Sequence, residues 1–425
     1  MLRVFFTKDQ CSVVQNILCN GDISPAMQKP LRNVRVLDLT NVLAGPFCCH
    51  QLAHLGAEVI KVETPGSGDL ARQLGADPEL NQRLMGVSFL AQNPGKQSVT
   101  LNLKHARGKA VFRKLVQSAD VVVENFRPGV MERLGLGYET LKQDHRRLIY
   151  CAISGFGQDG PLAGLPAYDQ IIQGMAGVMQ ITGDAHSAPL RVGYPVSDTI
   201  GGLTAALAVS AALADTGRTE GCFIDVSMLE ATLATMGWAV SNHLIAGRAP
   251  TPMGNENMTA SPSGTFRTAD GLLNIAANKQ EQFEALCRVV GRPALADDAR
   301  FAQRQARLAN RAALTQALEA ELATRPAAEW WPLLTAAGVP AGPVWDVPQT
   351  LAHPQVSERG MIGEFADAPG VGRDIRVVRT GFKLNREAPA VDTPPPQLGQ
   401  HTREVLGHLG YSDADLDELS REGAI

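Results

Sequence analysis

No uncharged apolar run in the chain reaches the ~18 residues of a membrane-spanning helix, so none is expected. Basic charge is not in excess either. Lys and Arg number 39 against 43 Asp and Glu, a net charge of −4. That excludes the broad basic field of a nucleic-acid or anionic-membrane binder, while a local basic pocket for a phosphorylated ligand stays open. The seven cysteines (11, 19, 48, 49, 151, 222 and 287) form no CxxC pair, and no HExxH or Cys/His cluster has metal spacing. A metal site is therefore not expected, buried thiols are, and a reducing compartment, the cytoplasm, follows. The chain also lacks a GxGxxG fingerprint: after Gly66 and Gly68, Ala71 stands where the third glycine belongs. There is no P-loop and no GxSxG elbow. A nicotinamide dehydrogenase, a P-loop NTPase and a serine hydrolase lose their sequence support. There is no tandem repeat.

What is present is a globular composition, 44% apolar and 19% charged over 425 residues. That length calls for two domains, or one large α/β domain with an insertion. Residues 1–30 carry no clean targeting signal and read as a dispensable, flexible N-terminal extension, with Met27 offering an alternative start. From Val34 onward, apolar and β-branched runs alternate with helical patterns. VRVLDLT, EVIKVE, KQSVTLNL (96–103), DVVVEN, RLIYCAISG and CFIDVSM read as strands. A helix is expected from Pro46 to Gly56. Such alternation implies a parallel, Rossmann-like sheet covered on both faces, with ligands where strands end and loops begin. Two long apolar helices are expected from about Asp198 and from Met228. The chain then divides into a large domain over 31–232, a linker over 233–257, a small α+β domain over 258–345, and a return to the large domain over 346–425.

Two carboxylates stand out by placement. Asp198 opens an Ala-rich helix, where a carboxylate caps backbone N–H groups and is favoured by the helix dipole. Gly201 and Gly202 follow within one turn, at a cost in helix stability. A carboxylate on a glycine-bared helix start suits nucleophilic attack on an activated acyl group. Asp169, in PAYDQ, carries the same ambiguity between cap and chemistry. Arg72, Lys96, Arg127 and Arg133 lie near predicted strand ends and together would suit the phosphates of a nucleotide.

The segments LDLTNVLAGP, LGAEVIKVE, PGSGD, ENFRPGVMERLGLGYETL, ISGFGQDGP, AYDQIIQGMAG, SDTIGGLTAALA and LGQHTREVLGHLG, taken in order, strongly resemble the class III CoA-transferases, the formyl-CoA and carnitine CoA-transferase family. The resemblance runs from about Leu31 to the C-terminus. It implies a Rossmann-like large domain built from both chain ends, an inserted smaller domain, and two subunits interlocked as a homodimer. It also implies that Asp198 is the nucleophile, with Tyr168 and Asp169 beside the acyl site. Coenzyme A, as the thioester substrate and not a resident cofactor, is expected to contact Asn41, Val42, Ala44, Lys96, Asn125, Phe126, Arg133 and Met228.

Departures from the family pattern bear on the substrate. Leu43 replaces a glutamine of the formyl-CoA transferases, Thr64 replaces an arginine used for the CoA nucleotide, and their four-glycine run is missing. Formate and oxalate are therefore expected to be poor acceptors. Succinyl-CoA is the expected donor and a small dicarboxylic acid the expected acceptor. Two alternatives remain open. An α-methylacyl-CoA racemase would have a histidine where Tyr168 stands, and a tyrosine of ordinary pKa near ~10 is a poor base at neutral pH. A CoA-binding protein without turnover is the other.

Overall fold

The computed structural model describes residues 29–425; the expected N-terminal extension and the start at Met27 lie outside the described residues. The chain divides into two compact units. One comprises residues 29–166, 198–231 and 357–425, the other residues 167–197 and 232–356. Residues 167–197, read from sequence as large-domain, thus group with the second unit. Their packing partners are distant in sequence, so no local pattern reveals the grouping.

The first unit is built on a six-stranded sheet: β1 (Arg35–Asp38), β2 (Glu58–Glu63), β3 (Lys96–Thr100), β4 (Val121–Glu124), β5 (Ile149–Ser154) and β6 (Cys222–Ser227). The order is β3-β2-β1-β4-β5-β6 and every pairing is parallel. The chain moves outward from β1 to β3, then crosses to β4 beside β1, so the order reverses at β1 and β4. In such sheets the crevice beyond the carboxyl ends at that switch is the ligand site. The helices that serve it are α1 (Ala44–His54), α2 (Ala106–Val116), α3 (Val130–Leu134), α4 (Val196–Ala214) and α5 (Met228–Thr235). Leu37, Ile60, Val99, Val122 and Tyr150 on the strands, with Phe112 and Leu115 of α2, form one side of the core.

One side of the sheet is closed by the end of the chain. The Ser98 amide donates to His401 Nδ1 at 3.1 Å, and the His401 amide donates back to the Ser98 carbonyl at 2.9 Å. Thr100 N donates to Thr402 Oγ1 at 3.0 Å. The LGQHT segment is thus a cap on the edge strand β3, covering a row of backbone groups that would otherwise invite pairing.

Within the second unit, strands Ser263–Arg267, Leu272–Ala276 and Ala341–Pro343 form an antiparallel sheet. It packs with helices Gln280–Val289, Arg311–Leu322 and Ala327–Ala336 around Phe283, Leu286, Leu318, Trp330 and Leu334. Where one helix was expected after Met228, there are two, broken at Met236 before Gly237–Ala246. That second helix buries none of its residues.

Among the described residues one helix, α4, is long and apolar enough to cross a membrane by length and composition. Asp198 lies in its first turn, and Ala205 and Val209 are core residues.

At the carboxyl end of β4, Glu124 is buried. Its Oε2 accepts the Phe126 amide at 2.7 Å. Burial pushes the carboxyl up from 4.5 to about 8, and the nearby Glu132 adds to the rise. Glu124 is therefore a neutral acid near pH 7, holding a proton that the unfolded chain has released. The stability this contributes is complete below pH 4.5 and is lost as pH rises through about 8. Glu124→Gln should flatten the fall in urea stability across that window. At pH 9 it should be more stable than the parent by on the order of a few kcal/mol. A parallel pH dependence of the two proteins contradicts this.

Candidate active site

The loop after β1 is held from below by a buried ionic network. Asp38, Glu63 and Asp69 face Lys61, Lys96 and Arg72, and all six are buried. Three of each sign balance. The β1–β2 register places Asp38 opposite Lys61, and Lys61 lies opposite Ser98 on β3, so these side chains share a face. Lys96 Nζ donates to Asp38 Oδ2 at 2.8 Å and to the Pro46 carbonyl at 2.9 Å. Arg72 donates to both Glu63 oxygens at 2.7 Å and stacks on Phe89. Its NH1 and NH2 each lie 3.3 Å from the Pro396 carbonyl. Burial alone would raise the Asp38 carboxyl; the ammonium groups of Lys61 and Lys96 outweigh it and hold the group below its ordinary value. Lys61, which burial would lower, is raised above an ordinary lysine chiefly by Asp38 and Asp69.

Two of the cations expected to meet a nucleotide are therefore consumed inside the protein. Arg72 is sealed against Glu63. Lys96, expected as a CoA contact, spends its ammonium on Asp38 and Pro46. Arg127 and Arg133 are exposed. Arg133 folds back over Gly129, with NH1 2.9 Å from where a Cβ would stand.

The turn above the network is fixed residue by residue. Lys61 donates to the Thr40 carbonyl at 2.7 Å, and Asp38 Oδ1 accepts the Thr40 amide at 2.9 Å. Asn125 clamps Asn41 from both sides: its Oδ1 accepts the Asn41 amide and its Nδ2 donates to the Asn41 carbonyl, each at 2.8 Å. The Asn125 amide, expected on CoA, is thus committed to holding a loop. Val42 N donates to Asp69 Oδ1 at 2.9 Å. Leu43 then stands at the N-cap of α1 with no side-chain cap. Leu43 is partly exposed and Ala44 buried. Pro46, expected to open the helix, lies two residues inside it.

Asp198, partly exposed, is the third residue of α4. A Cβ on Gly202 would lie 2.4 Å from the Ala44 carbonyl oxygen, and one on Gly201 would lie 2.9 Å from Met228 Cγ. Positions three and four residues on share a helix face, so Asp198 heads the face that packs on the starts of α1 and α5. The two glycines permit a close approach to the helix backbone. They let two neighbouring helix starts come close. The dipole of the 19-residue α4 favours negative charge in its first turn.

Beside the turn lies a cavity of about 470 Å³. Leu39, Val62, Leu101, Phe126, Val130 and Leu134 supply apolar walls, and Asn41, Thr64, Asn102 and Lys104 supply polar groups. Asn41 and Phe126 of the expected CoA contacts line it. Val42 and Ala44 adjoin it in sequence, while Met228 packs against Gly201. Lys104 was missed by the sequence reading. It follows the carboxyl end of β3, where a parallel sheet presents ligands, whereas Lys96 begins that strand.

In the second unit, Tyr168 is 69% exposed and precedes helix Asp169–Met175. Asp169 is buried. Its Oδ1 accepts the Ser197 amide at 2.9 Å and its Oδ2 accepts Gln173 Nε2 at 2.7 Å. Ser197 lies in the first turn of α4, so Asp169 serves as a capping carboxylate for the helix that carries Asp198. Among the described residues no group of three or more His, Cys, Asp or Glu is placed to hold a metal ion.

Comparison with known proteins agrees with this architecture. The family model for CoA-transferase family III matches residues 31–402. An acetyl-CoA:oxalate CoA-transferase of Acetobacter aceti is 41% identical over 371 residues, 87% of this chain and 94% of that protein. A succinyl-CoA:glutarate CoA-transferase of Mus musculus is 37% identical over 399 residues, 93% of this chain and 90% of that protein. A succinate–glutarate CoA-transferase of Agrobacterium fabrum is 38% identical over 392 residues, 91% and 97% of the two chains. A crystal structure of a CaiB/BaiF family protein from Brucella suis superposes with a TM-score of 0.79 at 36% identity, covering 90% of this chain and 99% of that one. A fold with its sheet switch, loop and helix starts in this arrangement, matched along most of its length, makes the chain a member of CoA-transferase family III and a class III CoA-transferase.

Proposed function

We propose that this enzyme moves CoA from succinyl-CoA to a small dicarboxylic acid through a thioester formed on Asp198. The observation that carries the reading is the placement of Asp198 in the first turn of α4, on the face pinned by Gly202 to the start of α1. The Asp198 carboxylate attacks the donor thioester carbonyl, giving a mixed anhydride and CoA thiolate. The thiolate attacks the aspartyl carbonyl, leaving an aspartyl-CoA thioester and free succinate. The acceptor carboxylate then attacks that thioester, forms a second anhydride and releases the thiolate. Thiolate attack on the acceptor's carbonyl completes transfer and restores Asp198. Dividing one exchange into four acyl transfers conserves the thioester without ATP. The nucleotide of CoA takes the cavity beside the turn, its base against Phe126 and Leu134 and its phosphates toward Lys104.

The relatives named for succinyl-CoA and glutarate support the substrate class. A second reading, oxalate as acceptor, is favoured by the 41% identical relative named for it. Leu43 weighs against the second reading, because it offers no hydrogen bond where the resemblance places a glutamine amide. An unpaired polar group there costs about 1–3 kcal/mol.

The exposed helix Gly237–Ala246 supports a homodimer, interlocked as the family resemblance implies. Trp238, Leu244 and Ile245 are each more than three-quarters exposed on it, at 77%, 76% and 85%, an apolar surface unusual in a monomer.

Asp198→Asn keeps the capping ability of the residue but not its charge. It should fold, retain CoA binding and lose turnover by about 1,000-fold or more, and acyl-CoA followed by hydroxylamine should label the Asp198 peptide of the parent only. Near-parental turnover, or label on the Asp169 peptide, would assign the wrong carboxylate. In a panel of succinyl-CoA and acetyl-CoA against glutarate, succinate, oxalate and formate, succinyl-CoA with a C4–C5 diacid should be fastest; faster transfer to oxalate selects the second reading. Sedimentation on dilution should give no folded monomer, and a stable native monomer would refute the interlocked dimer.

A further inference from the structure

The turn between β1 and α1 holds a backbone conformation that its own sequence resists. Val42 lies at φ +68°, in the left-handed region where a β-branched side chain is a true outlier. Glycine and asparagine visit this region readily; valine does not. A strained residue persists only where its surroundings over-determine it, and such residues concentrate at functional sites.

Asp69, the last residue of PGSGD, supplies the restraint. Its Oδ1 accepts both the Val42 amide and the Ala71 amide at 2.9 Å. Its Oδ2 lies 3.0 Å from Lys61 Nζ, and its own amide donates to Glu63 Oε2 at 3.0 Å. Both oxygens are committed, so the carboxylate cannot turn away from Val42 without losing an ionic partner. The same Lys61 ammonium grips the Thr40 carbonyl two residues earlier. Past Val42 the chain runs directly into Leu43 and Ala44, the uncapped start of α1. The Ala44 carbonyl is the group on which Gly202 of α4 rests.

We propose that Asp69 is a positioning residue for CoA transfer: its carboxylate holds Val42 left-handed and thereby sets the start of α1 against the helix that carries Asp198. Asp69 touches no reacting atom and acts only through Val42. The inference rests on the reading of Asp198 as the nucleophile. Asparagine cannot replace Asp69, because its amide would turn its oxygen to Lys61 and leave its NH₂ against the Val42 N–H, donor facing donor.

The test is a double-mutant cycle on the full-length enzyme: parent, Asp69→Asn, Val42→Asn and both together, assayed with the best donor–acceptor pair from the panel. Asp69→Asn should lower kcat about 100-fold when residue 42 is valine, the scale of a small misplacement in an active site. In the Val42→Asn background the same change should cost under about 5-fold, since asparagine needs no carboxylate to stay left-handed. Equal losses in both backgrounds, or a loss below about 3-fold in the first, would overturn the proposal. Should Asp69→Asn fail to fold, Asp69→Glu serves instead. It keeps the charge for Lys61 but moves the acceptor off the Val42 amide, and the same dependence on residue 42 is expected; its absence overturns the proposal equally. Every protein in the cycle retains Asp198, so a wrong nucleophile is exposed by Asp198→Asn and leaves this coupling in place.

Discussion

Six buried charges beneath one turn decide the geometry of everything above them. Asp38, Glu63 and Asp69 neutralise Lys61, Lys96 and Arg72 in an interior where an isolated ion would cost several kcal/mol. Such a network argues only weakly for stability, since apolar residues of the same volume often do as well. Its value here lies in direction. All six also grip the backbone: Lys61 holds the Thr40 carbonyl, Lys96 the Pro46 carbonyl, Arg72 the Pro396 carbonyl, Asp38 the Thr40 amide, Asp69 the Val42 amide and Glu63 the Asp69 amide. An apolar core would fill the same space and leave the turn free to relax.

Above that base the site is assembled by close approach. Asn125 ties the loop after β4 to the loop after β1, and Gly202 brings α4 onto the carbonyl of Ala44. Asp169, which the sequence offered as a rival to Asp198, instead caps the helix on which Asp198 stands. Asp169 is thus a structural carboxylate for the helix whose first turn holds Asp198.

The parallel sheet was legible because its strands are continuous apolar runs between helical periods, and six of six read from sequence are present. The start of α4 and its paired glycines were legible too. What was hidden was burial of charge. Lys61 and Glu63 in EVIKVE, Lys96 in KQSVT and Arg72 look like surface or ligand-binding residues until partners from separate strands are brought together. Lys96, expected on CoA, is bonded inside the protein to Asp38 and Pro46. Lys104 could have been found by asking which lysine follows a strand and which begins one. The grouping of 167–197 with 232–356, and the clamp of Asn125 on Asn41 across 84 positions, rest on non-local contacts that no periodicity reports.

The cap on β3 has a consequence for biosynthesis. Ser98 and Thr100 receive their edge partners from His401 and Thr402, more than 300 residues downstream. During translation at roughly 5–20 residues per second, that edge waits uncovered for tens of seconds after its strand has left the ribosome. Throughout that interval the nascent sheet presents unpaired backbone groups to any other chain nearby. Polysomes carrying several such chains in parallel are where mispairing would compete with folding. Chaperone demand is then set by the distance in sequence between a strand and its lid, not by how stable the finished enzyme is.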